Sequence, residues 1–406
     1  VVMAGWWRLP PFARSRGTTK DGSMAAEAPP QMTPRDPRML EEALVARFEE
    51  AGFTHMDPPI LQPADVFLDL SGESIRRRMF LTTDAEGREL CLRPDLTIPV
   101  ARQVLATQGA TAAAVSYLGP VFRFRGEGPG EFRQAGVESF GRADIEAADA
   151  EILSLGLDAC ALYGAPQPEI RLGDVGLFTA LLDALPLAPA MRRRLLKDFG
   201  QSRLDADLSR LNVPAAEAAS THSGVLAALT GADPAAARAL ITDLLSIAGI
   251  STVGGRSVSE IAERFLEQAA LDAGAGLSTE TGEVLKRYLA IAGSPDAASA
   301  AIRALASEAG VDLSPALAVF DRRAGFLSAH GVDLGAVRFS TAFGRPLDYY
   351  SGMVFELHDP AGHVAGPLVA GGRYDRLLSR LGAESCVPAV GLAAWVERLT
   401  QLEGAR

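Results

Sequence analysis

The sequence has 406 residues, 48% of them hydrophobic, with Gly 40 and Pro 25, so collagen-like and low-complexity classes are excluded. At ~100–200 residues per domain it has material for two or three domains, each able to bury a core. A formal net charge of -11 and the lack of a dense Lys/Arg stripe argue against a nucleic-acid binder, although charge alone does not exclude tRNA, and no run of ~18 apolar residues predicts a membrane span.

Residues 1–23 carry Trp6, Trp7, Arg14, Arg16 and Lys20 against one acid, Asp21, and read as an upstream extension ahead of Met24, with a targeting peptide as the alternative. Ala and Pro dominate 24–33, so 1–32 is expected to be a disordered leader and linker. Thr33-Pro34 supplies a cap and a first-turn proline, and Met39, Leu40, Leu44, Val45 and Phe48 follow at helical spacing up to Gly52. Phe53 to Leu61 reads as a strand ending at Pro58-Pro59. Strands are also expected over Arg88–Leu92, Val115–Phe124, Gly136–Phe140 and Ile170–Gly173, and a helix over Ala147–Tyr163. Glycine and proline punctuate Arg125 to Glu131 as a hairpin loop.

From about 176 to 335 the pattern is helical. Ser257 with Glu260 forms a capping box, and Ser294-Pro295 and Ser314-Pro315 each read as a cap followed by proline. Strands return at Val337–Ala342, Met353–His358 and Pro367–Ala370, and a last helix is expected from Ala393 to Leu402. Gly371-Gly372 reads as a turn and cap signal. This order predicts an α+β fold in which an antiparallel sheet, built from 33–175 and 336–406, is interrupted by a helical insertion at 176–335.

Cys91, Cys160 and Cys386 are far apart and form no C-x-x-C pair, as expected of reduced, buried thiols in a cytoplasmic protein. The runs Arg76–Arg78 and Arg192–Arg194 read as solvated helix ends. No P-loop, G-x-S-x-G elbow or pyrophosphate-binding acidic pair is present. His358 and His363 flank a turn without a Cys/His cluster, so neither a metal nor a cofactor is expected.

Four segments carry chemistry together: Leu92-Arg-Pro-Asp-Leu-Thr97; Phe122-Arg-Phe-Arg125 with Phe132-Arg-Gln-Ala-Gly-Val-Glu138; Gly344-Arg-Pro-Leu-Asp-Tyr-Tyr350 with Gly371-Gly-Arg-Tyr-Asp375; and Pro388 through Arg398. In this order they resemble the catalytic domain of histidyl-tRNA synthetase, over about 34–175 and 335–402. The resemblance implies a class II aminoacyl-tRNA synthetase-like antiparallel sheet flanked by helices, a dimer, and a pocket for free histidine. It places Asp95, Thr97 and Gln134 at the ammonium, Arg345 at a carboxylate or phosphate, and Glu138, Tyr350 and Tyr374 around the imidazole. A bound amino acid needs this division between acceptor and donor. Two alternatives stay open from the residues: a structural Arg93–Asp95 ion pair, and a Glu138 satisfied by a neighbouring arginine. Tyr349 and Tyr350 are expected to alternate on a strand, so that one of them faces away into core or surface.

The departures from the synthetase pattern are equally specific. Arg123 and Arg398 match the two arginines shared by class II sites. The loop Gly126–Glu131, however, is short and carries acids where synthetases have Arg and Lys. Arg125 replaces the glutamate that meets adenine, and Trp395 replaces a glycine beside ATP. Losing one such electrostatic contact costs about 3 kcal/mol. The last motif finishes at Leu399 and the sequence at Arg406, where a synthetase continues into an anticodon-binding domain of about 100 residues. This looks like the regulatory subunit of ATP phosphoribosyltransferase. The resemblance then implies a non-catalytic cytoplasmic chain, a short-form catalytic partner in a hetero-octamer, histidine as the effector, and no tRNA. The alternatives are a truncated histidine-activating ligase and a stand-alone amino-acid sensor.

Overall fold

The computed structural model describes residues 36–200 and 277–404, apart from 72, 110, 126–127 and 346–348, and between those stretches only 239, 243, 252–253 and 256–257. These all belong to the compact unit Arg35–Arg406.

The first helix, α1 (Pro37–Glu50), starts where Asp36 accepts a hydrogen bond from the Arg38 amide at 3.0 Å and Pro37 takes the first turn. Leu40, Leu44 and Phe48, one helical face, are buried, whereas Met39 is 66% exposed. The cap expected at Thr33-Pro34 lies outside the described residues.

The main sheet runs β1 (Thr54–His55), β5 (Ala113–Phe122), β6 (Glu131–Phe140), β14 (Ala389–Trp395), β13 (Val369–Arg373), β12 (Met353–His358), β7 (Glu169–Asp174), β11 (Val337–Ser340) and β10 (Ala292–Gly293). Its pairs are antiparallel except β1 with β5 and β7 with β11, so the sheet is mixed rather than wholly antiparallel. A smaller sheet orders β2 (Leu61–Pro63), β4 (Glu89–Leu92) and β3 (Leu81–Thr83), and β8 (Thr252–Val253) pairs with β9 (Arg256–Ser257).

Strand periodicity sorts the side chains into two cores. On β6, Ala135 and Val137 join one core while Phe132 and Phe140 join the other. The first core lies under α5 (Ile145–Leu162), α6 (Val175–Ala184) and α7 (Pro189–Gly200), together with α8 (Thr279–Leu289), α9 (Pro295–Ala309) and α10 (Ser314–Ala329). Leu285, Tyr288, Ile302, Leu317 and Phe320 therefore share a core with Leu153 and Phe178. The second core packs α2 (Ala64–Ser71), α3 (Glu73–Arg76), α4 (Thr97–Gln108) and α11 (Leu377–Arg380) against the opposite face, through Phe67, Ile75, Ile98 and Leu377. The chain's last helix is α12 (Val396–Gly404).

A buried charge network ties these layers. Arg323 on α10 donates to Asp149 on α5 at 2.7 Å and to Asp174, which also caps α6. Arg373 on β13 donates to the other Asp149 oxygen at 2.8 Å and to Asp375 at 2.8 Å. Asp149 is 0% exposed, so its charge is tolerated only because two guanidiniums face it.

Several boundaries moved for local reasons. Pro58-Pro59 divides the expected 53–61 strand, leaving β1 before it and β2 after it. Ser294 caps α9 as expected, but Leu313 rather than Ser314 caps α10, with Asp312 accepting from the Ser314 amide at 2.9 Å. The 389–395 stretch is a strand, and the last helix begins at Val396 rather than Ala393. Gly371 and Gly372 lie inside β13, not at a turn. Ser257 ends a two-residue strand, and the helix expected after it lies outside the described residues. Cys91 and Cys160 are buried, but Cys386 is exposed.

Candidate functional site

The site grows from the even-numbered face of β6. Gln134 and Glu138 share that face and are 2% and 1% exposed. Directly across from Glu138 on β14 stands Gly391. A Cβ there would lie 1.6 Å from Glu138 Oε2, so only glycine leaves room for the carboxylate. Gly371 on β13 packs as closely: its Cβ would meet the Gly391 carbonyl at 2.3 Å.

Tyr117 on β5 donates its hydroxyl to Glu138 Oε1 at 3.1 Å, and Tyr374, just past β13, donates to Oε2. Burial pushes the Glu138 carboxyl up to about 7, against hydrogen bonds from Tyr374, Thr97 and Tyr117 that pull it down. Glu138 is thus held by hydroxyls and not by an arginine, which settles the alternative left open by the sequence.

Around this carboxyl lies a cavity of about 280 Å³. Asp95, Thr97, Gln134, Glu138, Arg345, Tyr350 and Tyr374 all line it, as does Arg123. Asp95 sits ahead of α4 and accepts from the Ile98 amide at 3.1 Å. Burial raises its carboxyl above the ordinary range, while the Arg123 charge and that amide oppose the rise. Arg123 is itself pushed down to about 10 by burial, with Asp95 opposing, and its Nε donates to the Pro94 carbonyl. Arg345 pairs with Glu356 at 3.1 Å, and Glu356 bonds His358 at 2.9 Å. Gln134 Oε1 has no hydrogen-bond partner among the described residues.

Other residues have partners that the sequence did not suggest. Arg93 bonds the carbonyls of Pro58 and Pro120 and pairs with Asp57 at 3.3 Å, so it forms no pair with Asp95. Tyr349 and Tyr350 lie in irregular chain rather than on a strand, and both line the cavity with ring centroids 5.0 Å apart. Arg398 is not among the lining residues: it donates to the Pro367 carbonyl at 2.7 Å and lies 5.0 Å from the Trp395 ring centroid. Trp395 does line the cavity, and Arg125 stacks 3.4 Å from the Phe132 ring centroid.

Sequence reasoning missed Arg78 and Tyr117. Arg78 belongs to a run read as a solvated helix end, yet it lines the cavity. Tyr117 carried a usable signal, an aromatic hydroxyl in a largely apolar strand, since a buried tyrosine hydroxyl needs a partner.

Chemically, the set divides as an amino acid would require. Asp95, Thr97 and Gln134 offer acceptors for an ammonium, Arg345 and Arg123 offer cations for a carboxylate, and Glu138 offers a buried acceptor for a side-chain N–H.

Comparison with known proteins places this geometry in a family. The histidyl-tRNA synthetase family model matches residues 28–247 and 236–399. ATP phosphoribosyltransferase regulatory subunits of Brucella canis and Brucella suis are each 40% identical over 348 residues, covering 85% of this chain and 92% of theirs. A Bacillus halodurans structure titled as an ATP phosphoribosyltransferase regulatory subunit/histidyl-tRNA synthetase shares the fold, with TM-score 0.63, 21% identity, and 94% of this chain and 84% of that one covered. A histidine–tRNA ligase subunit structure from Alicyclobacillus acidocaldarius gives TM-score 0.55 at 25% identity, covering 95% and 99%. With the class II sheet, the cavity on its second face and these relatives in agreement, the chain belongs to the histidyl-tRNA synthetase family, among its ATP phosphoribosyltransferase regulatory subunits.

Proposed function

We propose that this chain is a non-catalytic regulatory subunit for a short-form ATP phosphoribosyltransferase, in the first step of histidine biosynthesis, and that histidine bound in the 280 Å³ cavity is its effector. One observation carries the reading: Glu138, buried and titrating near 7, lies where Tyr117 and Tyr374 fix both its oxygens. An imidazole has an ordinary pKa of about 6.5, so the two groups can share one proton and bind as a charge-assisted pair. Asp95, Thr97 and Gln134 take the ammonium, Arg345 takes the carboxylate, and Tyr350 closes the wall.

The residues beside the cavity support a role without nucleotide activation. Arg125 is spent on Phe132, Arg398 is tied to Pro367 and Trp395, and the indole occupies cavity wall. The partner chain performs the transfer. A dimer of this subunit assembles with it, as a hetero-octamer, in the cytoplasm and without tRNA. Regulation requires histidine to bind one state of that assembly better than another.

The test is reconstitution. Adding the purified chain to a competent short-form catalytic subunit stimulates phosphoribosyl-ATP formation, and histidine suppresses it; no stimulation contradicts the proposal. The second reading, a histidine-activating ligase, draws on Arg123 and Arg345 both lining the cavity. Robust histidine-dependent exchange of pyrophosphate into ATP would establish it instead.

A further inference from the structure

Arg345, proposed above to take the histidine carboxylate, lies in irregular chain between β11 and β12, where no strand register aims its side chain. That side chain is nevertheless only 12% exposed, and its Nη1 is 3.1 Å from Glu356 Oε1. Glu356 stands on β12, an inner strand between β13 and β7. Directly across from it on β13 is Ala370, which lines the cavity, although Glu356 is not itself a lining residue. The other carboxylate oxygen, Oε2, bonds His358 Nε2 at 2.9 Å, and His358 shares the strand face two residues on. Arg171, opposite Glu356 on β7, bonds Glu169 at 2.9 Å. The two Glu356 oxygens are thus divided between a strand neighbour that holds it and the loop arginine beside the cavity.

Burial would raise the Glu356 carboxyl, but the His358 hydrogen bond and the Arg345 and Arg171 charges outweigh it and hold the group below the ordinary range. A full negative charge therefore faces Arg345 at neutral pH. The pair is made by charge and not by direction, because Arg345 Nε and Nη1 make no hydrogen bond among the described residues. A guanidinium has five N–H donors, so Arg345 keeps donors for an incoming carboxylate while Glu356 fixes its place. Without Glu356 the guanidinium is a buried charge lacking its partner, and turning out to water relieves that cost.

We infer that Glu356 and His358 are positioning residues for carboxylate recognition: His358 fixes Glu356, Glu356 fixes Arg345, and the fixed guanidinium selects a free amino acid over an analogue with a neutral group in place of the carboxylate. The inference rests on the reading of this cavity as a histidine site.

The experiment titrates the full-length chain by calorimetry with L-histidine and with L-histidinol, in which a hydroxymethyl group replaces the carboxylate. Wild type binds histidine more tightly. Glu356→Ala weakens histidine roughly tenfold, the worth of one charge-assisted hydrogen bond, and leaves histidinol within about twofold of wild type. Glu356→Gln, which keeps the shape and drops the charge, weakens histidine in the same direction and serves if the alanine variant does not fold. His358→Ala also weakens histidine, and His358→Gln, which keeps a donor for Glu356, restores it. In an Arg345→Gln background, adding Glu356→Ala changes histidine affinity no further, since the residue it positions is gone. The inference is overturned if Glu356→Ala weakens both ligands equally, as a merely structural role requires, if it leaves histidine affinity unchanged, or if it tightens histidine, as removal of a competitor for the guanidinium requires. Wild type that binds neither ligand overturns the histidine reading itself and this inference with it, whereas wild type that binds histidine and fails only these variant tests overturns this inference alone.

Discussion

Replacing Glu138 with Gln keeps the side chain's shape and removes its charge. In the folded chain this carboxyl titrates at about 7, raised from 4.5 by burial. A folded-state pKa above the unfolded one stabilises below the unfolded value and is lost as pH rises through the folded value. The wild type therefore loses stability between about pH 4.5 and about pH 7, and the difference of about 2.5 units corresponds to about 3 kcal/mol. Asp95 is raised too and contributes with the same sign; its charge also acts on Glu138, so the difference between the two proteins reports the pair. Urea unfolding of wild type and Glu138→Gln, without ligand, is compared at about pH 5 and about pH 8. The variant gains on the wild type by about 2.5 kcal/mol over that interval. Histidine binding moves the other way, about 10–100-fold weaker in the variant, because a charge-assisted hydrogen bond is lost. Parallel pH profiles for the two proteins would refute the buried, proton-holding Glu138.

Gly391→Ala places a methyl 1.6 Å from Glu138 Oε2 and 2.6 Å from the Val137 carbonyl, so histidine binding falls by at least tenfold in a calorimetric titration. Arg323→Met leaves Asp149 and Asp174 without one guanidinium, and denaturant melts should show a loss of about 3–5 kcal/mol. Tyr374→Phe removes the donor to Glu138 Oε2, which raises the carboxyl's pKa further and shifts the pH at which histidine affinity changes to higher values. That shift is read from titrations across the neutral range.

Some regular elements were legible because cap, periodicity and turn agree there: α5, β7 and β12 fall within a residue or two of expectation. What the sequence hid was backbone proximity. Gly371, Gly372 and Gly391 look like punctuation when local chemistry is the only guide. In the sheet they are the places where neighbouring strands come too close for a side chain: Gly391 against Glu138, Gly371 against the Gly391 carbonyl and Gly372 against the Met353 carbonyl, which is a long-range fact. The same limit explains β14, whose Ala-rich run carries helical propensity that pairing with β6 and β13 overrides. The seven residues proposed to hold histidine came from motif resemblance, and every one lines a single cavity. Arg78 and Tyr117 escaped because neither belongs to a recognisable motif, and their roles exist only once β5, β6 and α3 are assembled. Arg398, read from its motif as a phosphate-site arginine, lies 5.0 Å from the Trp395 ring centroid and within electrostatic reach of Arg345.

The most direct test of the account is histidine inhibition of phosphoribosyl-ATP formation in complexes of the catalytic subunit with wild-type chain or with Glu138→Gln. Both complexes are expected to be active, with inhibition by histidine strong in the first and displaced to at least tenfold higher concentration in the second. Equal inhibition of the two would show that the effector is read somewhere other than this pocket.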